Sequence, residues 1–224
     1  MIYLDYQATT PLAPEVFDAM VPWLRDRFAN PHSAHRMGRE AAAAVEVARE
    51  QVAALMPTGG RAIFTSGATE ALNIAIWGAA LRMRGRDGRR VRVVTVETEH
   101  AAVRDTVLAL AQEGFEPVLL PVGADGIVDS EAVAREVDER TALLAVMLVN
   151  NEIGAIQPVE ALADIAHRSG ALFLCDAVQG FGRIDLPSSA DLIAISGHKI
   201  HGPKGIGALW LRDVVHPGDR EAFL

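Results

Sequence analysis

The chain has 224 residues, half of them hydrophobic, with a mean hydropathy of +0.18 and a formal charge of −8. That is enough apolar material for one substantial domain with its own core, and too much for a disordered chain. The negative balance argues against a nucleic-acid-binding surface, and Arg, Asp or Glu interrupts every long apolar run before it reaches membrane-spanning length.

Cys175 is the single cysteine, so no intrachain disulfide framework forms. The start of the chain, MIYLDYQATTP, has an acid early and no basic region before an apolar run. It does not read as a signal peptide, and a cytoplasmic protein is expected.

Along the chain, a short helix is predicted over residues 14–28, then an Ala-, Glu- and Arg-rich helix over 38–56. Apolar runs of strand length follow at 61–65, 91–96, 117–122, 143–149, 171–175, 192–195 and 208–211. Amphipathic segments at 69–84, 101–113, 130–139 and 159–169 separate most of them, and Gly, Pro, Asn or Asp marks many joins. The strands are apolar throughout rather than alternating. This predicts an α/β fold, a mostly parallel sheet sandwiched by helices. The arginine-rich stretch from Arg82 to Arg92 reads as a solvated loop around Gly85 and Gly88, with an anionic partner site as the alternative.

Open α/β sheets bind ligands beyond the carboxyl ends of their strands. Five polar clusters fall at such ends: Ser66 to Thr69, Glu97 to His100, Asn150 to Glu152, Asp176 to Gln179, and Ser196 to Lys199. Each has a bland reading and a chemical one. Ser66-Gly67-Ala68-Thr69 between a strand and a helix suits a phosphate, although Ser and Thr are also ordinary helix caps. Asp176 could cap a helix or face a cation; opposite a pyridine nitrogen it would favour the protonated ring. His100 opens a helix and could stack over a flat heteroaromatic ring. Ser196, His198 and Lys199 lie in one glycine-flanked loop. No nucleophile elbow, zinc pattern, Walker loop or dinucleotide fingerprint accompanies these clusters.

Only two of the 21 basic residues are lysines, Lys199 and Lys204, and both lie in this last loop. Lysine can become a neutral amine nucleophile, whereas arginine cannot lose its proton in a protein. Coding bias with chance placement is the alternative.

Several segments together resemble the class-V aminotransferase-fold enzymes. They are Leu4-Asp5-Tyr6-Gln7-Ala8-Thr9-Thr10-Pro11, Asn30-Pro31-His32-Ser33, Thr65-Ser66-Gly67-Ala68-Thr69-Glu70 and Thr98-Glu99-His100. Asn150-Asn151-Glu152-Ile153-Gly154, Asp176-Ala177-Val178-Gln179 and the run from Ser196 to Gly205 complete the set. The Asn-Asn-Glu-Ile-Gly and Gly-Pro-Lys-Gly versions resemble the housekeeping and nitrogen-fixation type of cysteine desulfurase. The resemblance implies a fold type I large domain that binds pyridoxal 5'-phosphate over residues 15–212. An N-terminal segment (1–14) would precede it, and a tail (213–224) would lie outside the family pattern.

It also implies roles. Lys199 would bond the cofactor aldehyde and later move protons at the substrate α-carbon. Asp176 would pair with the pyridine nitrogen, Gln179 with the ring's phenolic oxygen, and His100 would stack on the ring. Asn151 would lie near that oxygen and the substrate carboxylate. Ala68, Thr69, Ser196 and His198 would hold the phosphate, with no metal. The implied reaction takes L-cysteine to L-alanine and leaves sulfur as a protein persulfide for iron–sulfur cluster assembly. Its implied partners are a sulfur-acceptor or scaffold protein and a second copy in a homodimer.

Family members continue into a smaller domain. It carries the sulfur-accepting cysteine, an arginine for the substrate carboxylate and a threonine given to the partner's phosphate site. None has a counterpart in this sequence, so the small domain is expected to be largely absent, and Cys175 reads as a buried apolar residue rather than a substitute thiol. A non-catalytic cofactor-binding remnant or interaction module, or another class-V aminotransferase or lyase activity, are the alternatives.

Overall fold

The computed structural model describes residues 2–213, so the expected tail lies, but for its first residue, outside the described residues. The seven apolar runs become β1 (Gly60–Thr65), β2 (Arg92–Val96), β3 (Glu116–Leu120), β4 (Thr141–Met147), β5 (Leu172–Asp176), β6 (Leu192–Ser196) and β7 (Gly207–Arg212). They form one sheet in the order β1-β7-β6-β5-β4-β2-β3. Strands β2 to β6 pair in parallel, and β7 runs antiparallel to both β6 and β1. The reversed β7 therefore points β1 the same way as the parallel strands. The carboxyl ends of β1, β2, β4, β5 and β6 share one rim with the amino end of β7.

Six α-helices accompany the sheet among the described residues: α1 (Pro14–Arg25), α2 (Arg36–Ala54), α3 (Ala68–Asp87), α4 (Ala101–Ala109), α5 (Ser130–Glu136) and α6 (Val159–Ser169). Helices α3 and α4 cover one face; α2, α5 and α6 cover the other. The sequence explains the assignment. Helix α3 carries small residues at Ala71, Ala75, Ala79 and Ala80, all fully buried, which let it lie close on the sheet. Helix α6 buries Val159, Leu162, Ala163, Ile165 and Ala166, one apolar stripe at helical spacing. Every residue of β4 is buried, as a central strand with helices on both faces requires. Alternation along β5 sends Leu172 and Leu174 toward α3 and sends Phe173 and Cys175 toward α6.

Several boundaries differ from the sequence reading by two residues or more, among them those of α1, α4 and β4. Helix α1 ends at Arg25, and none of its residues is buried. The expected helix over 101–113 passes into a 3₁₀ turn at Leu110–Glu113 and stops at Gly114, whose φ of 79° suits glycine. Strand β4 begins and ends two residues earlier, at Thr141–Met147.

The arginine stretch is a partial correction. Helix α3 continues through Gly85 to Asp87 and caps at Gly88, so the loop is confined to residues 88–91. Arg84, Arg90 and Arg92 clamp the amino-terminal rim of the sheet. Arg84 lies 4.2 Å from the centre of the Phe115 ring and donates to the Glu113 carbonyl at 2.7 Å. Arg90 donates to the carbonyls of Thr141 and Ser169 at 2.7 and 2.8 Å. Arg92 reaches Glu136 O and the Asp138 carboxylate. The forked guanidinium satisfies carbonyls left open at helix ends (Glu113, Glu136 and Ser169) and at the start of β4 (Thr141), while its stem covers apolar surface. Among the described residues, no helix is long and apolar enough to cross a membrane.

Asp191 clamps the start of β6. Its Oδ2 accepts from the Phe173 N–H and lies 2.8 Å from His167 Nε2. That hydrogen bond raises the His167 pKa, against partial burial. A raised folded-state pKa gives stability that is complete below the unfolded value, about 6.5, and is lost as pH rises through the higher folded value. His167→Ala should therefore lower the thermal midpoint more at pH 6 than at pH 9; calorimetry at both values checks this.

Candidate active site

The carboxyl rim carries a cavity of about 870 Å³, within the usual range for small-molecule sites. All nine residues singled out in the sequence line it: Ala68, Thr69, His100, Asn151, Asp176, Gln179, Ser196, His198 and Lys199. They come from five strand ends, and the face of α3 and α4 supplies the wall above them.

Asp176 ends β5 on that face and is 6 % exposed. Its Oδ1 accepts from the Val178 N–H at 3.0 Å. Burial pushes its pKa up; the Val178 bond, His100 and the charge of Lys199 act against the rise. His100 is the N-cap of α4, with Nδ1 accepting from the Ala102 N–H at 3.0 Å. Nδ1 thus serves as acceptor, which leaves the proton on Nε2. The ring is an ordinary helix cap and a cavity wall at once.

The opposite wall is the loop after β6. Lys199 Nζ donates to the carbonyls of Gln7 and Ala8, the latter at 3.0 Å. Burial lowers its pKa; Asp5 acts against this, Arg183 with it, and Asp176 against it. His198 is lowered as well, by burial and then by the nearby charges of Lys199 and Lys204. Its Nδ1 lies 3.1 Å from Thr9 Oγ1.

The N-terminal segment closes this wall. Thr10 donates from both N and Oγ1 to the His198 carbonyl at 2.9 Å, and its Oγ1 accepts from the His201 N–H at 2.7 Å. The Ala13 N–H bonds to the His201 carbonyl at 2.9 Å. His201 is held at φ 62°, the left-handed region, at a cost of about 1–2 kcal/mol for a residue with a side chain. These bonds hold it there. Gln179 donates from Nε2 to the Gln7 carbonyl at 2.9 Å, so the same segment also spans the floor.

At the third corner, Gly67 turns β1 into α3. It supplies no side-chain cap, and Thr69 does not cap the helix either. A Cβ at Gly67 would meet nothing within 4 Å. A 20-residue helix thus aims its free N–H groups at open space beside Ser196 and His198, which is a strong setting for an anion. Gly207 makes this close packing feasible: a Cβ there would lie 2.7 to 2.8 Å from backbone atoms of Gly67 and from the Ile195 carbonyl.

Cys175 contributes nothing to the cavity. It is fully buried on the α6 side, and burial pushes its thiol pKa well up. Some lining residues carried no assigned role in the sequence reading, notably Asp5, Gln7 and Lys204. Their signal was present, since all three lie in the quoted segments, but no strand-end argument pointed to them.

The class-V aminotransferase profile matches residues 2–217. The chain belongs to the class-V aminotransferase family. The mitosomal cysteine desulfurase of Trachipleistophora hominis is 45% identical over 216 residues, which are 94% of this chain and 49% of that protein. A solved NifS-like protein superposes with a TM-score of 0.88 at 36% identity, covering 100% of this chain and 64% of that one. A structure described as SspA in complex with cysteine gives 0.87 at 37% identity, over 95% and 62% of the two chains. The chain spans about half the length of the curated relatives it matches.

This class-V family depends on pyridoxal phosphate, and the cavity fits the group: a buried carboxylate faces it, an uncapped helix end opens beside an unfilled glycine, and a lysine with a lowered pKa closes the far wall. Gly207→Ala would push the Ser66–Gly67 turn outward. It should cost about 1–3 kcal/mol of stability and weaken binding of pyridoxal phosphate more than binding of pyridoxal, as titration of both against the variant would show.

Proposed function

We propose that the chain is the cofactor-binding part of a cysteine desulfurase, a pyridoxal-phosphate-dependent sulfurtransferase that takes L-cysteine to L-alanine and passes sulfur toward iron–sulfur clusters. The convergence of Lys199 and Asp176 on one cavity carries the reading. The names of the relatives support the substrate, as does the structure described as holding cysteine. A sulfur-acceptor or scaffold protein, a homodimer and a cytoplasmic setting belong to the same reading.

Bound pyridoxal phosphate would supply an electron sink for the electrons released at the substrate α-carbon. The remaining work falls to the chain. Ala68, Thr69, Ser196 and His198 would hold the phosphate at the end of α3; His198 suits this as a neutral imidazole that can donate an N–H. Asp176 would lie toward the ring nitrogen and favour its protonated form by its opposite charge. Gln179 and Asn151 would address the ring oxygen, and His100 would cover the ring face. Lys199 would hold the cofactor through its amine, with release of water, and would move the proton at the substrate α-carbon.

The sulfur needs a thiol that this sequence does not provide. Cys175 is its one cysteine, shut beneath the sheet with a raised pKa, and a thiol is a poor nucleophile. We therefore assign cofactor binding and proton transfer to this chain, and sulfur acceptance elsewhere.

Mixed with pyridoxal phosphate and then freed of unbound cofactor by desalting, the purified chain should stay yellow and borohydride should fix the cofactor to it, whereas Lys199→Ala should carry no cofactor that borohydride fixes. Because attack needs the neutral amine, the rate of colour formation should rise with pH and level off below the ordinary lysine value of about 10.4. A colourless wild type at every pH would overturn the reading. With L-cysteine and a reductant, sulfide release should not exceed that of Lys199→Ala; sustained turnover by the chain alone would contradict the assignment of sulfur acceptance elsewhere.

A further inference from the structure

One buried acid next to this cavity has no role in the scheme above. Glu99, just before His100, is 4 % exposed. Its Oε1 accepts from the Met147 N–H at 2.7 Å, and its Oε2 is sealed from solvent with no hydrogen-bond partner. Met147 is the last residue of β4 and sits directly across from Asp176 in the β4–β5 pairing. The neighbouring Thr98 carbonyl accepts from Asn150 Nδ2 at 2.9 Å. Glu99 therefore fastens the turn that bears His100 to the strand end beside Asp176.

We propose that Glu99 is a positioning residue for His100 and Asp176, and that it acts as an uncharged carboxylic acid, leaving Asp176 the one anion beneath the cofactor ring.

The argument is one of competition for charge. The titratable groups around Glu99 are Asp176 and Cys175 on β5 and His100 on its own turn, with Lys199 acting on Asp176 from the far wall. Two buried carboxylates this close disfavour joint ionisation. Asp176 has the Val178 N–H, the His100 imidazole and the charge of Lys199; Glu99 has one N–H and an orphaned oxygen. The proton belongs on Glu99. Burial first, and then the Asp176 charge, push its pKa well up in the same sense. An ionised Glu99 would raise the proton affinity of Asp176 and blunt its grip on a pyridinium.

The inference rests on the proposed cofactor site, and its tests separate the two. Infrared spectroscopy of the full chain without cofactor, at pH 7, should show a protonated-carboxyl carbonyl band that Glu99→Gln removes; an unchanged band, or none in the wild type, overturns the uncharged state whatever the cofactor does. With pyridoxal phosphate, Glu99→Ala should lower affinity at least tenfold. Glu99→Gln, which keeps shape, neutrality and the Met147 bond, should rescue it, with the pH midpoint of the visible band within half a unit of wild type. A larger shift would mean that a charge had been removed, and full affinity in Glu99→Ala would remove the positioning role. If Glu99→Ala does not fold, as circular dichroism would show, the Glu99→Gln midpoint decides alone. A colourless wild type would strike the cofactor site itself and leave the infrared result standing.

Discussion

A carboxylate withdrawn from water stays ionised only where dipoles and opposite charges replace its hydration, and Asp176 imposes that requirement on everything around it. Burial at the end of a central strand raises its proton affinity. One backbone N–H, the turn of His100 and the amine of Lys199 counter the rise. Those three partners come from the turn after β5, from the turn after β2 and from the loop after β6, so the charge can be supported only when the parallel sheet is assembled in this order. Fold and site are one constraint here. Met147 opposite Asp176 extends it, because the N–H of that residue is what Glu99 binds.

Much of this was legible beforehand, for a physical reason. Strands buried on both faces must be apolar along their whole length, so polar residues stand out where they end. Asp176, Ser196 and Asn151 were visible on those grounds, and the structure brings all nine singled-out residues to one cavity. Alternation along β5 also placed Cys175 on the far face from Asp176, where it is found. The arginine stretch was legible only in part, because charge density suggests solvent, whereas a guanidinium beside helix and strand ends finds carbonyls to bind. Arg90 and Arg92 make their bonds to residues 44 to 79 positions away in sequence, which no local pattern encodes.

The N-terminal segment was hidden for a similar reason. Residues 5–10 form neither helix nor strand, and periodicity is silent about them. Only tertiary hydrogen bonds, from Thr10 to His198 and His201 and from Gln179 and Lys199 to the carbonyls of Gln7 and Ala8, reveal that this segment is a wall of the cavity. Glu99 escaped by another route. It sits beside a histidine with an obvious chemical use, and its own significance lies in an oxygen that lacks a partner, which is visible only in three dimensions.

The distribution of lysine takes on a physical sense at this point. Both lysines lie in one loop, but the loop treats them differently: Lys204 is exposed, whereas Lys199 is partly enclosed and stripped of part of its proton affinity by burial. An arginine at position 199 would keep its charge in any such environment, and two backbone carbonyls could hold it permanently. A lysine held by the same carbonyls can lose its proton and leave them. The strained His201 and the buried Thr10 fix the loop against the N-terminal segment, so the amine can change state while its backbone stays in place.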